Sequence, residues 1–274
     1  MNPSEVRIAV LGTGNIGSAI AHGLVNGGLC PPAHITLTRR KTELLEEFRR
    51  KGFQVAAENS AAIRSADLIF IAVTPQQLNG LLAGIHDGID EQKHTVVSVV
   101  SGATIAEIRK HLGPHVPVIR AMPNTAIAIR ESMTCLSTDH TGQKTMDLVR
   151  DMFNALGKTL VIDEALMVPA TALCACGIAF FLRAVRAASQ GGIEIGFHAE
   201  DALLMAAQTA KGAASLLVES DTHPEQEVDK VTTPQGCTIS GLNQMEHNGF
   251  SSALIKGIVT SAEKAAVLYS PRNG

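Results

Sequence analysis

Gly12, Gly14 and Gly17 stand in the pattern G-x-G-x-x-G, directly after the apolar run VRIAVL and at the start of IGSAIAHGL. Glycines at this spacing, between a strand and a helix, are suited to holding a pyrophosphate. The first permits a tight turn, the second lets backbone approach the phosphates, and the third lets helix pack on strand. The helix start adds unpaired N–H groups and a partial positive charge. Thr13, Asn15 and Ile16 therefore join the three glycines as candidate phosphate contacts. A turn shaped by glycine with no ligand is the other reading.

The second apolar run ends in Thr38, Arg39, Arg40 and Lys41, with no acid where a carboxylate would hold ribose hydroxyls. Guanidinium forks suit a 2′-phosphate, which a carboxylate would repel. NADPH is the expected cofactor, with NADH possible, and Thr38, Arg39 and Arg40 are the residues that would choose it. A solvated basic helix start is the alternative. Two further stretches, IAVTPQQL and RAMPNTAIAIRESMT, fall where the fourth and sixth strands should end, on the edge of the sheet where ligands bind. They nominate Ala72, Val73, Thr74 and Pro75, then Met122, Pro123 and Asn124, as contacts near the nicotinamide, or as structural turns. Near the C-terminus VTTPQGCT places Pro234, Gly236 and Thr238 at the mouth of a helix. From the residues alone, Thr238 is as well suited to capping that helix as to chemistry.

The elements that must position these residues change character along the chain. Strand-like runs at 6–11, 35–38, 53–56, 68–73, 95–100 and 118–121 alternate with helical stretches such as 16–26 and 42–50, with two more strand candidates at 133–136 and 159–162. Strands this apolar predict a mainly parallel sheet covered on both faces. After Asp163 the periodicity is helical: Leu203, Ala206, Ala207, Ala210, Ala214 and Leu217 share one face, and Phe250, Leu254, Ile258 and Ala265 share another. Residues 220–235 read as a polar loop. The fold class expected is α/β, an N-terminal Rossmann-type dinucleotide-binding domain over 1–162 followed by an all-helical domain over 163–274.

At 274 residues two domains are expected, and a net charge of −3 gives no reason to expect nucleic acid or an anionic membrane as partner. The run 165–182 is uncharged for as long as a short membrane span, but it contains Pro169 and Gly177 and leads into Arg183 and Arg186. It reads as a helix buried on nearly all sides, inside a domain or between subunits. Five cysteines and no visible export signal suggest free thiols in a reducing cytoplasm. Cys174 and Cys176 form C-x-C without a second pair at zinc spacing, so no metal is expected, and inert packing is the expected role of the thiols.

Taken together, the glycine pattern, AVTPQ (72–76), RAMPNT followed by ESMT, and His223-Pro224 with VTTPQGCT (231–238) resemble the pyrroline-5-carboxylate reductases over essentially the whole chain. The resemblance implies NAD(P)H-dependent reduction of Δ1-pyrroline-5-carboxylate to L-proline, the last step of proline biosynthesis. It implies a homodimer with interleaved helices whose active sites draw on both chains, and a ring of dimers above that. It also implies that Thr238 hydrogen-bonds the ring nitrogen. Under that likeness, N–H groups around Gly236, Cys237 and Thr238 would hold the substrate carboxylate, with Thr233 and Met122 completing the substrate set.

The likeness has gaps. The family lysine of A-V-K-P-Q is Thr74, S-G-S-G-P-A-Y becomes Cys174-Ala175-Cys176-Gly177-Ile178-Ala179-Phe180, and the first glycine of the family's S-P-G-G is Gln235. Lys230 replaces a smaller residue of many relatives. An imine reductase with altered ring-size specificity and a non-catalytic NADP-binding sensor are the competing readings. A hydroxyacid dehydrogenase is disfavoured, because 165–190 contains no lysine.

Overall fold

A computed structural model of the chain describes residues 3–139, 141–220 and 222–267. The apolar runs become β1 (Ile8–Leu11), β2 (Ile35–Thr38), β3 (Gln54–Ala56), β4 (Leu68–Ile71), β5 (Thr95–Ser98), β6 (Val118–Met122), β7 (Ser132–Thr138) and β8 (Gly157–Val161). They form one eight-stranded sheet in the order β3-β2-β1-β4-β5-β6-β7-β8. The pairings from β3 to β6 are parallel, β7 runs antiparallel to β6, and β8 is parallel to β7. Strand order reverses between β1 and β4, which opens a crevice at their carboxyl ends.

The sheet is covered by α1 (Asn15–Asn26), α2 (Glu46–Arg50), α3 (Asn59–Ile63), α4 (Pro75–Ile85), α5 (Ile105–Leu112) and α6 (Gln143–Asn154). Successive strand residues point to opposite faces, so β1 feeds two cores. Ile8 and Val10 join Ile20, Leu24 and Phe153 on one face, while Ala9 and Leu11 join Ile63, Leu82 and Ile108 on the other. Each fully buried Ile or Leu contributes about 1.5–3 kcal/mol.

The remaining helices are α7 (Met167–Ala170), a π-helical turn (Thr171–Cys176), α8 (Gly177–Glu194), α9 (Ala199–Glu219), α10 (Pro224–Val231), α11 (Cys237–His247) and α12 (Phe250–Ala266). Two compact units result, one containing residues up to Cys176 together with those from Ser261 onward, the other Gly177–Thr260. The periodicity changes near 162, yet the first unit continues to Cys176. The reason is local: Met167 and Ala170 are buried with Met122 and Cys135 beside the sheet.

In the second unit α8 and α9 pack through small residues. A Cβ on Gly192 would lie 3.0 Å from that of Ala202. One expectation needs correction here. The supposed loop 220–235 contains α10, whose start is held by His223: the Glu225 N–H donates to His223 Nδ1 at 3.3 Å, and the Gln226 side chain accepts the His223 N–H at 3.0 Å. Of the two burials expected for the apolar stretch after 164, inside a domain or between subunits, the first is not found within the single chain. Glu164–Glu194 is long and apolar enough to cross a membrane by length and composition, and 28% of its most apolar window is buried.

Candidate active site

The glycine-rich turn lies between β1 and α1. Gly12 has φ +95°, and a Cβ there would sit 2.8 Å from the Ala72 carbonyl oxygen, so the turn closes on the end of β4 only with glycine. A Cβ on Gly17 would meet the Gly12 carbonyl and lie 3.2 Å from Val10 Cγ1. Gly14 is different, because apart from its own neighbours in the chain nothing of the protein lies within 4 Å of its missing Cβ. Packing explains Gly12 and Gly17. At Gly14 the space is open, as the approach of a phosphate to backbone requires. Gly14 also caps α1 without any side chain, and the N–H groups of the first turn, Asn15 to Gly17, precede any carbonyl that could accept them. The residues present therefore fit a dinucleotide pyrophosphate.

Two of the nominated residues do other work. Thr13 is completely buried, and both its N–H (2.9 Å) and its hydroxyl (3.0 Å) donate to the Thr38 carbonyl. Thr38 is also buried, with its hydroxyl donating to Asn59 Oδ1 at 2.6 Å. Both threonines position the turn against β2, and neither offers a ligand its polar groups. Arg39 and Arg40 are exposed, and among the described residues neither has an ion-pair partner. Two unpaired guanidiniums at the end of β2 are available to an anion.

Across the crevice, Ala72, Val73, Thr74 and Pro75 follow β4. Thr74 opens α4, and the Gln77 side chain returns to its hydroxyl at 3.2 Å and to its N–H at 3.4 Å. Thr74 is exposed, unlike the three residues nominated after β6. Met122 is 3% exposed, with the Ser101 hydroxyl 4.0 Å from its sulfur. Pro123 is buried. Asn124 is committed on all sides: its N–H donates to Ser132 Oγ (3.1 Å), its Oδ1 accepts from the Ala126 N–H (3.0 Å), and its Nδ2 donates to the Cys174 carbonyl (3.2 Å). The side chains of Met122 and Asn124 are therefore turned to the protein's own interior. They shape the wall, and the helical turn at Cys174 is tied to it.

The sequence reading missed the residues behind these. Arg120 on β6, only 2% exposed, pairs with Glu164 Oε1 at 3.1 Å, and that oxygen also accepts the Ile105 N–H at 2.7 Å. This pair, buried on the Arg120 side and partly exposed at Glu164, ties the strand that carries Met122 to the start of α5. A charge inside an apolar strand run was the available signal. Asn59 and Gln77 gave none, since polar residues at helix starts are ordinary.

In the helical unit, the Gly236 N–H donates to the Thr233 carbonyl at 2.9 Å, closing a turn with Pro234 second and Gln235 third. Gln235 has φ +61°, in the left-handed region. Gly236 caps α11, and a Cβ there would strike the Thr233 side chain and come within 2.9 Å of its carbonyl oxygen. The first-turn N–H groups of α11 begin at Cys237 and Thr238. Thr233, Cys237 and Thr238 are exposed, and the Thr238 hydroxyl makes no hydrogen bond among the described residues. The capping role belongs to Gly236, so Thr238 is free for another use.

Comparison with known proteins places both ends of the chain. The family described as pyrroline-5-carboxylate reductase dimerisation matches residues 164–268, and that described as NADP oxidoreductase, coenzyme F420-dependent, matches residues 7–102. Pyrroline-5-carboxylate reductase 2 of Dictyostelium discoideum is 48% identical over 95% of this chain and 92% of its own. Pyrroline-5-carboxylate reductase 1 of the same organism is 53% identical over 97% of this chain, which spans only 50% of that relative's length. A solved pyrroline-5-carboxylate reductase from Coxiella burnetii superposes with a TM-score of 0.90 at 27% identity, covering 97% of this chain and 99% of the other. The chain, with its Rossmann-type sheet domain and helical dimerisation domain, belongs to the pyrroline-5-carboxylate reductase family of NAD(P)-dependent oxidoreductases.

Proposed function

We infer that this chain reduces the C=N bond of Δ1-pyrroline-5-carboxylate to give L-proline, the closing step of proline biosynthesis. The observation that carries the inference is the unbonded Thr238 hydroxyl beside the open helix start at Gly236. The substrate is a small ring bearing one carboxylate and one imine. N–H groups at the start of α11 hold the carboxylate, and the positive end of the helix favours its charge. Thr238 holds the ring nitrogen, while Thr233 and Cys237 line the same turn. The nicotinamide, when bound, supplies hydride to the imine carbon. Positioning contributes most of the catalysis, since the iminium form accepts hydride without a strong side-chain acid.

NADPH is the preferred cofactor in this proposal, because Arg39 and Arg40 are free and no carboxylate stands at the end of β2. NADH remains a usable donor. The helical domain, taken as 163–274, pairs with a second copy so that each active site draws on two chains, and dimers can close into a ring. The match of residues 164–268 to a dimerisation family supports that use of the exposed apolar face of Glu164–Glu194, and all five cysteines are free, which suits the cytoplasm.

The test is steady-state oxidation of NADPH by the full-length chain with the five-membered imine, beside NADH and a six-membered ring imine. Turnover on the five-membered ring is expected. Activity confined to the larger ring would make the Cys174–Phe180 departures a specificity change, and binding without turnover would leave a sensor. Thr238→Ala should lower kcat about 100-fold, the scale of a lost transition-state hydrogen bond, with NADPH affinity unchanged. A change in thermal stability alone would reduce Thr238 to a helix-start residue.

A further inference from the structure

Beside the sheet, between β7 and the π-helical turn, lies a small sulfur-rich cluster. Met122, Cys135, Met167 and Ala170 are buried together, with Met133, Cys174 and Ala175 packed against them. Both thiols are free, and Cys174 packs against the cluster that contains Cys135. Hydrogen bonding from Cys135 brings Cys174 down to about 7, against a burial that works the other way. The same contact, and then burial, pushes Cys135 well up. Cys30 offers the contrast: its thiol is buried in the main apolar core and donates to backbone carbonyls, that of Val6 at 3.6 Å, and burial pushes it up to about 11.

The two members of the pair are placed unequally. Cys174 is half-buried, within reach of a small oxidant, and Cys135 lies behind it, buried on β7. A thiolate is the nucleophile in thiol oxidation, and a resolving thiol must reach the sulfur it attacks. Here both thiols belong to one packed cluster, so the second is near the first without any large rearrangement. Cys174 also sits in a π-helical turn, which is wider and less regular than an α-helical one, so its sulfur can close the remaining distance to Cys135 by a local adjustment.

We propose that Cys135 and Cys174 form a reversible disulfide when the protein meets a hydroperoxide. The Cys174 thiolate attacks the peroxide O–O bond, gaining the hydroxyl as a sulfenic acid and releasing hydroxide or alkoxide. The Cys135 thiol then attacks the Cys174 sulfur, the S–S bond forms, and water leaves with the Cys135 proton. Two thiols lose two electrons and the peroxide gains them. A dithiol returns the pair to its reduced form. Because the Cys174 carbonyl accepts from Asn124, the new bond would also tether the wall that Asn124 shapes. No step uses cofactor or substrate, so the chemistry stands apart from the reductase activity.

The experiment uses the reduced full-length protein, treated with hydrogen peroxide, alkylated, and digested without reduction for mass spectrometry. The expected product is a peptide pair joined through Cys135 and Cys174, absent after dithiothreitol, from protein that runs as a single chain on a non-reducing gel. Both thiols still fully alkylated, a cross-link between chains, or oxidation at Cys176 or Cys237 instead would overturn the proposal. Cys135→Ala should leave a Cys174 sulfenic acid that a cyclic 1,3-diketone captures, and Cys174→Ala should leave Cys135 unoxidised. Oxidation of Cys135 in the latter variant would reverse the order of attack and sink the mechanism. If either variant fails to fold, the wild-type cross-link decides.

Discussion

Within the sheet unit, Ile8, Leu11, Ile20, Leu24, Ile69 and Leu82 are closed off from solvent by their own chain. In the helical unit, Phe181, Leu182, Leu204, Val218 and Ile255 are each more than 60% exposed, and Ala202 is the only buried hydrophobic residue among those described there. A parallel sheet with helices on both faces meets its hydrophobic requirement inside one chain. The helices of the second unit carry apolar faces of similar composition and leave them uncovered. The first unit should therefore hold its stability at any protein concentration, and the second should gain its stability from association.

The largest test of that contrast pairs Leu204→Asp with Leu24→Ala. A charge in the apolar face should weaken self-association by about 1,000-fold, some 4 kcal/mol, read by sedimentation across a dilution series. Leu24→Ala should instead cost about 2–5 kcal/mol of folding stability with no concentration dependence. If Leu204→Asp associates like the parent, the open face is not where copies meet.

Arg39→Asp probes the sheet unit alone. It should shift the NADPH-to-NADH preference by about 10- to 100-fold, the worth of about 1.5–3 kcal/mol for a bond to a charged group, while sedimentation is unchanged. An unaltered cofactor ratio would remove the 2′-phosphate assignment.

A smaller effect is expected at the α11 turn. Gln235 holds φ +61°, a conformation that costs a non-glycine residue about 1–2 kcal/mol, and glycine recovers part of that after its own loss of chain entropy. Gln235→Gly should raise stability by about 1 kcal/mol or less in thermal unfolding, and a marked loss would show that the side chain holds the turn.

The smallest is a pH effect confined to the sheet unit. Burial and then Lys51 hold His22 below its ordinary value of 6.5, and burial and then Lys93 do the same at His94. The His94 Nδ1 accepts the Asp90 N–H at 2.9 Å, so protonation there must break a bond. Both imidazoles bind a proton less readily folded than unfolded, so their contribution is intact above the ordinary value and is lost as pH falls through it toward the folded values. Urea unfolding should show stability falling across that window, and His22→Gln should flatten the slope.

Much of this was legible beforehand. The inner strands were visible because a strand buried on both faces must be a continuous apolar run, as β2 at 35–38 shows, while the more exposed edge strands β3 and β8 were marked only by the short runs at 53–56 and 159–162. Gly12 and Gly17 were legible because backbone geometry admits no side chain there. Helix α10 was missed because PEQEVDKV has no apolar stripe: its helix is set by His223, Pro224 and Gln226 at its start, and capping is a weaker signal than periodicity. The commitment of Thr13, Thr38 and Asn124 to internal hydrogen bonds was invisible, since a polar side chain carries no mark of whether it will face a ligand or a carbonyl.

The sequence by itself determined most of the strands and helices, where glycine is obligatory, and that the first turn is shaped to suit an anionic group. These follow from local sterics and from the period of apolar residues, which act over a few positions. The tertiary structure decided which threonine hydroxyls are spent and which remain free, that Cys174 packs against the cluster holding Cys135, and that the helical unit's apolar face stays uncovered in one chain. Those outcomes depend on residues far apart in sequence arriving at the same place, and packing alone sets their partners.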